Sequence, residues 1–166
     1  MTAVNVVSTV AFNPPPEPPL PSRVVELRGG SARILVNEPA RAWLPTVKAR
    51  FDELVQLSKG WDGYRAVPVS FVNANFALRM LEAICGAEAP CPQMVPGTAG
   101  DLQIEWHTPI ADIELHVLGP NQVHAWRLLH GQQHAEELML GNDFTSVAAW
   151  IKNLSEPPLA AGIAAA

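Results

Sequence analysis

The residues from Leu102 to Val117 constrain this chain more than any other stretch. Leu102, Ile104 and Trp106 alternate with Gln103, Glu105 and His107. After Thr108, Pro109 and Ile110, the residues Ile113, Leu115 and Val117 alternate with Asp112, Glu114 and His116. A period of two belongs to a β-strand with one dry and one wet face, so the stretch predicts an antiparallel hairpin. Residues 123–129 follow the turn signal Gly119, Pro120, Asn121, and residues 134–140 read as a further strand, which extends the hairpin into a meander.

A sheet with one apolar face must be covered, and the pattern supplies the cover. From Pro45 the apolar residues Val47, Phe51, Leu54, Val55 and Leu57 recur at helical intervals up to a stop at Gly60. Ser70 is a helix cap before Phe71, Ala74, Ala77, Leu78, Leu81 and Ile84, and Gly86 ends that run. Asn142 or Asp143 caps a third helix with Phe144, Val147, Ala148, Ile151 and Leu154 on one stripe. The expected fold is α+β, a two-layer sandwich with an antiparallel β-meander of about four strands under about three helices.

Residues 24–27 and 32–36 are rich in Val, Ile and Leu on either side of Gly29 and Gly30, which predicts a short hairpin or two edge strands. Residues 13–22 read NPPPEPPLPS and admit neither helix nor central strand. The expected organisation is a Pro-rich extended arm over residues 1–22, one α+β domain over 23–156 and a flexible Ala-rich tail over 157–166.

Eleven Lys and Arg against sixteen Asp and Glu give a net charge of -5. The basic stripe that phosphate binding requires is absent, so nucleic acid is not an expected partner. An acidic surface suits a basic protein, whose approach it accelerates. No apolar run reaches the roughly 18 residues of a membrane span, and the N-terminal residues lack the pattern of a secretion signal, so a cytoplasmic protein is expected. Cys85 and Cys91 read as a reduced pair, too few for a disulfide framework and wrongly spaced for a zinc knuckle.

Two groups of residues could carry chemistry. In the loop after the first helix, Trp61 and Tyr64 could anchor a ligand while Asp62 accepts hydrogen bonds from it. Alternatively, Asp62 and Gly63 make a turn with Trp61 and Tyr64 packed beneath. The second group is the polar face of the hairpin. Counting back from a Pro109–Ile110 turn sets Glu105 opposite Glu114 and His107 opposite Asp112, and like charges so opposed destabilise a sheet unless compensated. With Pro120 and Asn121 at the tip of the next turn, Glu114 faces Arg127, whose guanidinium would relieve the repulsion.

Such a row can bind a partner, form plain ion pairs, or serve a metal-assisted hydrolase or nuclease with His107 or His116 as a further ligand. No nucleophile elbow, HExxH sequence or phosphate-binding glycine loop accompanies it, and no cofactor is expected. His124 shares its parity with Trp126 and Leu128, which reads as a histidine at the edge of the core. Asp62 is expected to lie apart from Glu105 and Glu114, because its loop joins two helices on the covered side of the sheet.

The segments GWDGYRAVPVS, PGTAGDLQIEWHTP and ADIELHV resemble a group of small uncharacterised bacterial proteins, some of them phage-linked, with a Gly-Trp-Asp-Gly motif and a later Glu-Trp strand. The resemblance covers about residues 54–117. It implies an α+β fold with Trp61, Asp62, Gly63, Glu105, Trp106 and Glu114 as signature positions, and it suggests toxin neutralisation, immunity or host takeover by a phage-encoded protein. The expected function is a protein-binding module. A metal-assisted enzyme and a structural subunit of a larger assembly, the latter suggested by the Pro-rich arm, are the alternatives.

Overall fold

The computed structural model describes residues 23–29, 32–38 and 40–155, with side chains described from residue 40 to residue 155. The Pro-rich arm and the Ala-rich tail expected from the sequence lie outside the described residues. The chain divides into two compact units, Met1–Ala40 and Arg41–Ala166. In the first, β1 (Arg23–Gly29) and β2 (Ala32–Glu38) pair antiparallel from Gly29 opposite Ala32 to Arg23 opposite Glu38, which is the hairpin foreseen around the glycine pair.

The second unit is the predicted α+β sandwich. Its elements run α1 (Leu44–Val55), α2 (Phe71–Ile84), β3 (Gln93–Pro96), β4 (Leu102–His107), β5 (Ala111–Gly119), β6 (Gln122–Leu129), β7 (Glu136–Leu140) and α3 (Thr145–Ser155). The strands form one antiparallel sheet in chain order, so the topology is a meander. Leu102, Ile104, Trp106, Ile113, Leu115, Val117, Val123 and Ala125 point to one side and join Val47, Phe51, Leu54, Ala77, Leu81, Val147 and Ile151 of the helices in a single core. Helix α2 is central, touching β5 and both other helices. Among the described residues no helix is long and apolar enough to cross a membrane.

Three details depart from the sequence pattern. Edge strand β3 precedes the alternation and makes the meander five strands; at four residues ending in Pro96 it is too short to show a period. Helix α1 stops at Val55, while Leu57 still packs on the core from the following loop. Phe71, at the first position of α2, falls outside the buried stripe of Asn73, Ala74, Ala77, Met80, Leu81 and Ile84 and is 73% exposed.

Polar anchors fasten the layers. The Trp43 indole donates to the Gly86 carbonyl at 2.9 Å, the Trp106 indole to the Pro90 carbonyl at 2.9 Å, and the Arg50 guanidinium reaches from α1 to the Met94 carbonyl of β3. Ser70 caps α2 by accepting from the Asn73 amide at 3.1 Å.

The decisive irregularity is in β5. Val117 pairs with Val123 and Gly119 with Gln122, so Leu118 has no partner of its own and forms a β-bulge. A bulge puts two residues of one strand against one of its neighbour and shifts the register beyond it by one. Val123 and Ala125 therefore enter the core, and His124 and Trp126 turn outward. The bulge also corrects the sequence count: Arg127 pairs with Ile113 instead of Glu114 and points toward the helices. Deleting Leu118 removes the extra residue and would turn His124 and Trp126 inward. We expect a loss of more than about 3 kcal/mol, or failure to fold, whereas Leu118→Ser at the same half-exposed position should stay within about 0.5 kcal/mol. Urea denaturation of both variants is the check.

Candidate functional site

The sheet face opposite the helices is built from residues that alternate with the core. Across the strands it presents the row Gln93, Glu105, Glu114, Trp126, Glu137 and, beside it, the row Val95, Gln103, His116, His124, Met139. The register sets Glu105 directly opposite Glu114, as the hairpin count predicts. Arg127 does not relieve that pair. Gln103 donates its amide to Glu114 Oε2 at 2.7 Å, and His107 Nε2 stands 3.1 Å from Glu105 Oε2, so each carboxylate is held by its own neighbour.

Toward the turn between β4 and β5, Asp112 is shared by two histidines. Its Oδ1 lies 2.9 Å from His107 Nδ1 and its Oδ2 lies 3.0 Å from His130 Nε2. Hydrogen bonding to Asp112 and then to Glu105 raises the His107 pKa, and Asp112 with the Pro109 carbonyl raises that of His130. The same two bonds, His130 first and then His107, hold the Asp112 carboxyl below its ordinary value.

At the other end of β5, His116 Nε2 lies 2.5 Å from Asp101 Oδ2. Burial alone would raise the Asp101 pKa, but the hydrogen bonds from His116 and from the Ala99 amide outweigh it and leave it lowered. Between this pair and the middle of the sheet, Gln103, Glu114, His116, His124 and Trp126 line an open recess.

No family model, curated protein or solved structure matches the chain.

The loop of the Gly-Trp-Asp-Gly motif is held from within. Asp62 Oδ1 accepts from the amides of Tyr64 at 2.9 Å and Ala66 at 3.1 Å, and the Trp61 indole donates to the Val67 carbonyl at 3.1 Å. Gly60 and Gly63 have φ values of 79° and 83°, the left-handed conformation that such a turn requires and that glycine adopts without strain. Tyr64 is not packed beneath the turn. It projects into solvent, 87% exposed.

What the loop contacts is the connection between β3 and β4. The Val67 amide donates to the Thr98 carbonyl at 3.0 Å, and the Gly100 carbonyl accepts from the Ser70 amide at 3.0 Å and from Asn73 Nδ2 at 2.8 Å. The first two of the three segments that carry the sequence resemblance are thus neighbours in space. Asp62 itself bonds within its own loop, whereas Glu105 and Glu114 bond to His107 and Gln103 on the sheet.

Of the candidates, Glu105, His107, Glu114 and His116 share the outer sheet face; Trp61, Asp62 and Tyr64 belong to the loop. Arg127 is on the covered side, 4.6 Å from the Trp150 ring and 2.6 Å from Glu136, with its side chain 12% exposed. Asp112, which the hairpin count sets opposite His107, completes the face together with Asp101, Glu137 and His130, for which the sequence pattern gives no such signal; Trp126 and His124, placed toward the core by their parity, belong to it as well because of the bulge. Among the described residues no three His, Cys, Asp or Glu side chains are grouped to hold a metal ion. Both cysteines are free; Cys91 is exposed, and burial pushes the Cys85 thiol up to about 12.

The Asp112 cluster has a defined pH window. His107 and His130 have raised pKa values in the fold, so their contribution to stability is complete below about 6.5 and fades as the pH rises through those values. Asp112 has a lowered value, so its contribution is complete above about 3.9 and fades as the pH falls through it. Asp112→Asn should flatten the pH profile of the urea midpoint between about pH 4 and 8, with the largest difference from wild type near pH 5. An unchanged profile would show that the cluster contributes nothing. In the loop, Asp62→Ala should cost about 1 to 2 kcal/mol and Tyr64→Ser less than about 0.5, measured by the same denaturation.

Proposed function

We propose that the protein is a protein-binding module that docks a basic partner on the sheet face opposite the helices, in the manner of a neutralising protein of the antitoxin or immunity kind. The observation that carries this reading is the distribution of charge. From residue 93 to residue 140 the chain contains a single Lys or Arg, Arg127, and it is on the other side. The outer face carries the carboxylates of Asp101, Glu105, Asp112, Glu114 and Glu137. It also presents exposed Val95 and Met139 and the half-buried Trp126, the mixture of aromatic and apolar surface that protein interfaces use.

A hydrolase or nuclease has less in its favour. Glu105 and Glu114 are each engaged by a neighbour, and no nucleophile motif accompanies them.

Reversing charge on this face is the direct test. Tagged protein and its Glu105→Lys/Glu114→Lys variant should be purified from the native host at low and high salt, with recovered proteins identified by mass spectrometry. The expected result is a basic protein at near-stoichiometric yield, lost from the variant and lost at high salt, with the variant's circular dichroism unchanged. A partner that the variant retains, or one whose recovery ignores salt, would exclude this face as the docking surface.

A further inference from the structure

Not all the charge on the outer face is available to a partner. Asp112 is taken by His107 and His130, Glu105 by His107, and Asp101 by His116. Glu114 is held by the neutral amide of Gln103, and Glu137, its side chain 65% exposed, has His124 3.5 Å away. These two carboxylates flank one residue: in the register of the sheet, Trp126 pairs with Glu114 on β5 and with Glu137 on β7. Directly opposed residues in an antiparallel sheet hold their Cβ atoms about 5 Å apart, so both side chains are within reach of a group stacked on the indole. The recess beside Trp126 keeps one flank of the indole open.

We infer that Trp126, with Glu114 and Glu137, is the seat for an arginine side chain of the basic partner. The inference rests on the docking face proposed above and names the position in it that sets specificity. An aromatic face attracts a cation, and a guanidinium stacks on it while offering its N–H fork to carboxylates at the sides. The protein contains a related arrangement, one tryptophan and one carboxylate around an arginine, on its covered side. Arg127 lies over the Trp150 ring at 4.6 Å and donates to Glu136 at 2.6 Å. Trp126 and Glu137, adjacent in sequence to Arg127 and Glu136, repeat the tryptophan and the carboxylate on the open face. Among the described residues the cation contacts on tryptophan rings are Arg41 on Trp43 and Arg127 on Trp150. The indole N–H groups of Trp43, Trp61 and Trp106 are bonded to carbonyls.

The experiment is a titration followed in the N–H correlation spectrum, where the five tryptophans give separate indole signals. The Trp126 signal is assigned by its absence from the Trp126→Phe variant. The probe is a blocked Arg-Gly-Arg-Gly-Arg peptide, and the control is the same peptide with citrulline, the neutral isostere, in place of arginine. The Trp126 indole should shift saturably with the arginine peptide and stay fixed with citrulline. Glu114→Gln/Glu137→Gln should weaken binding by about fivefold or more, whereas Asp52→Asn/Glu53→Gln, the same charge change on α1, should alter it by less than about twofold. Binding that leaves the Trp126 indole unmoved, or that both double variants weaken equally, overturns the seat and leaves the docking face standing. No binding of the arginine peptide overturns the seat as well, and the docking face is then judged by the salt-dependent capture alone.

Discussion

The placement of the sheet's polar residues depends on one unpaired residue. Leu118 interrupts the pairing of β5 with β6, and every residue of β6 beyond it takes the face opposite to the one a plain hairpin would assign. Without the interruption, Val123 and Ala125 would meet water and His124 and Trp126 would be forced under the helices. The hydrophobic driving force for burying the two small apolar residues therefore stabilises the bulge. Because a strand's side chains alternate, that choice also carries Arg127 inward and Trp126 outward.

Two consequences for electrostatics follow. The inward guanidinium is kept from water, held by its stack on Trp150 and the bond from one terminal nitrogen to Glu136 while its buried Nε has no partner among the described residues, so it neutralises nothing on the open face. Among the described residues the open face then has no permanent cation for its carboxylates. They are held by histidines, whose charge depends on pH, and by the amide of Gln103. The neutralisation is uneven: it is dense near the β4–β5 turn, where Asp112 meets two histidines, and thin around Trp126.

Much of the fold was legible because alternation and helical spacing are strong over long segments. The pairing of Glu105 with Glu114 and of His107 with Asp112 could be counted from one turn, since Thr108 to Ala111 close a tight hairpin with no irregularity. The row beyond it could not. A bulge is one residue of surplus length with no required side chain, and Leu118 is apolar like its neighbour Val117, so nothing in the letters separates it from an ordinary strand residue. Strand β3 was missed for a different reason, having only Met94 buried among its four residues. Asp101 was overlooked because it precedes the first alternating residue; its link to His116 exists only once β4 and β5 are paired. The Gly-Trp-Asp-Gly loop was visible as a motif. Its hydrogen bonds support the turn reading for Asp62 and Trp61, while Tyr64, expected to pack in that reading, stands in solvent.

Gly97 shows how a position with no chemistry of its own can govern the face. Its amide donates to the Asp101 carbonyl at 2.9 Å, and a β-carbon built on it would collide with the Asp101 carboxylate. The bare α-carbon is the space in which that carboxylate rests. Any side chain there would push the carboxylate away from His116 and release a histidine at the rim of the recess. The connection before β4 thus acts as a mould for the sheet surface, and its composition should be as restricted as that of the residues whose side chains it shapes.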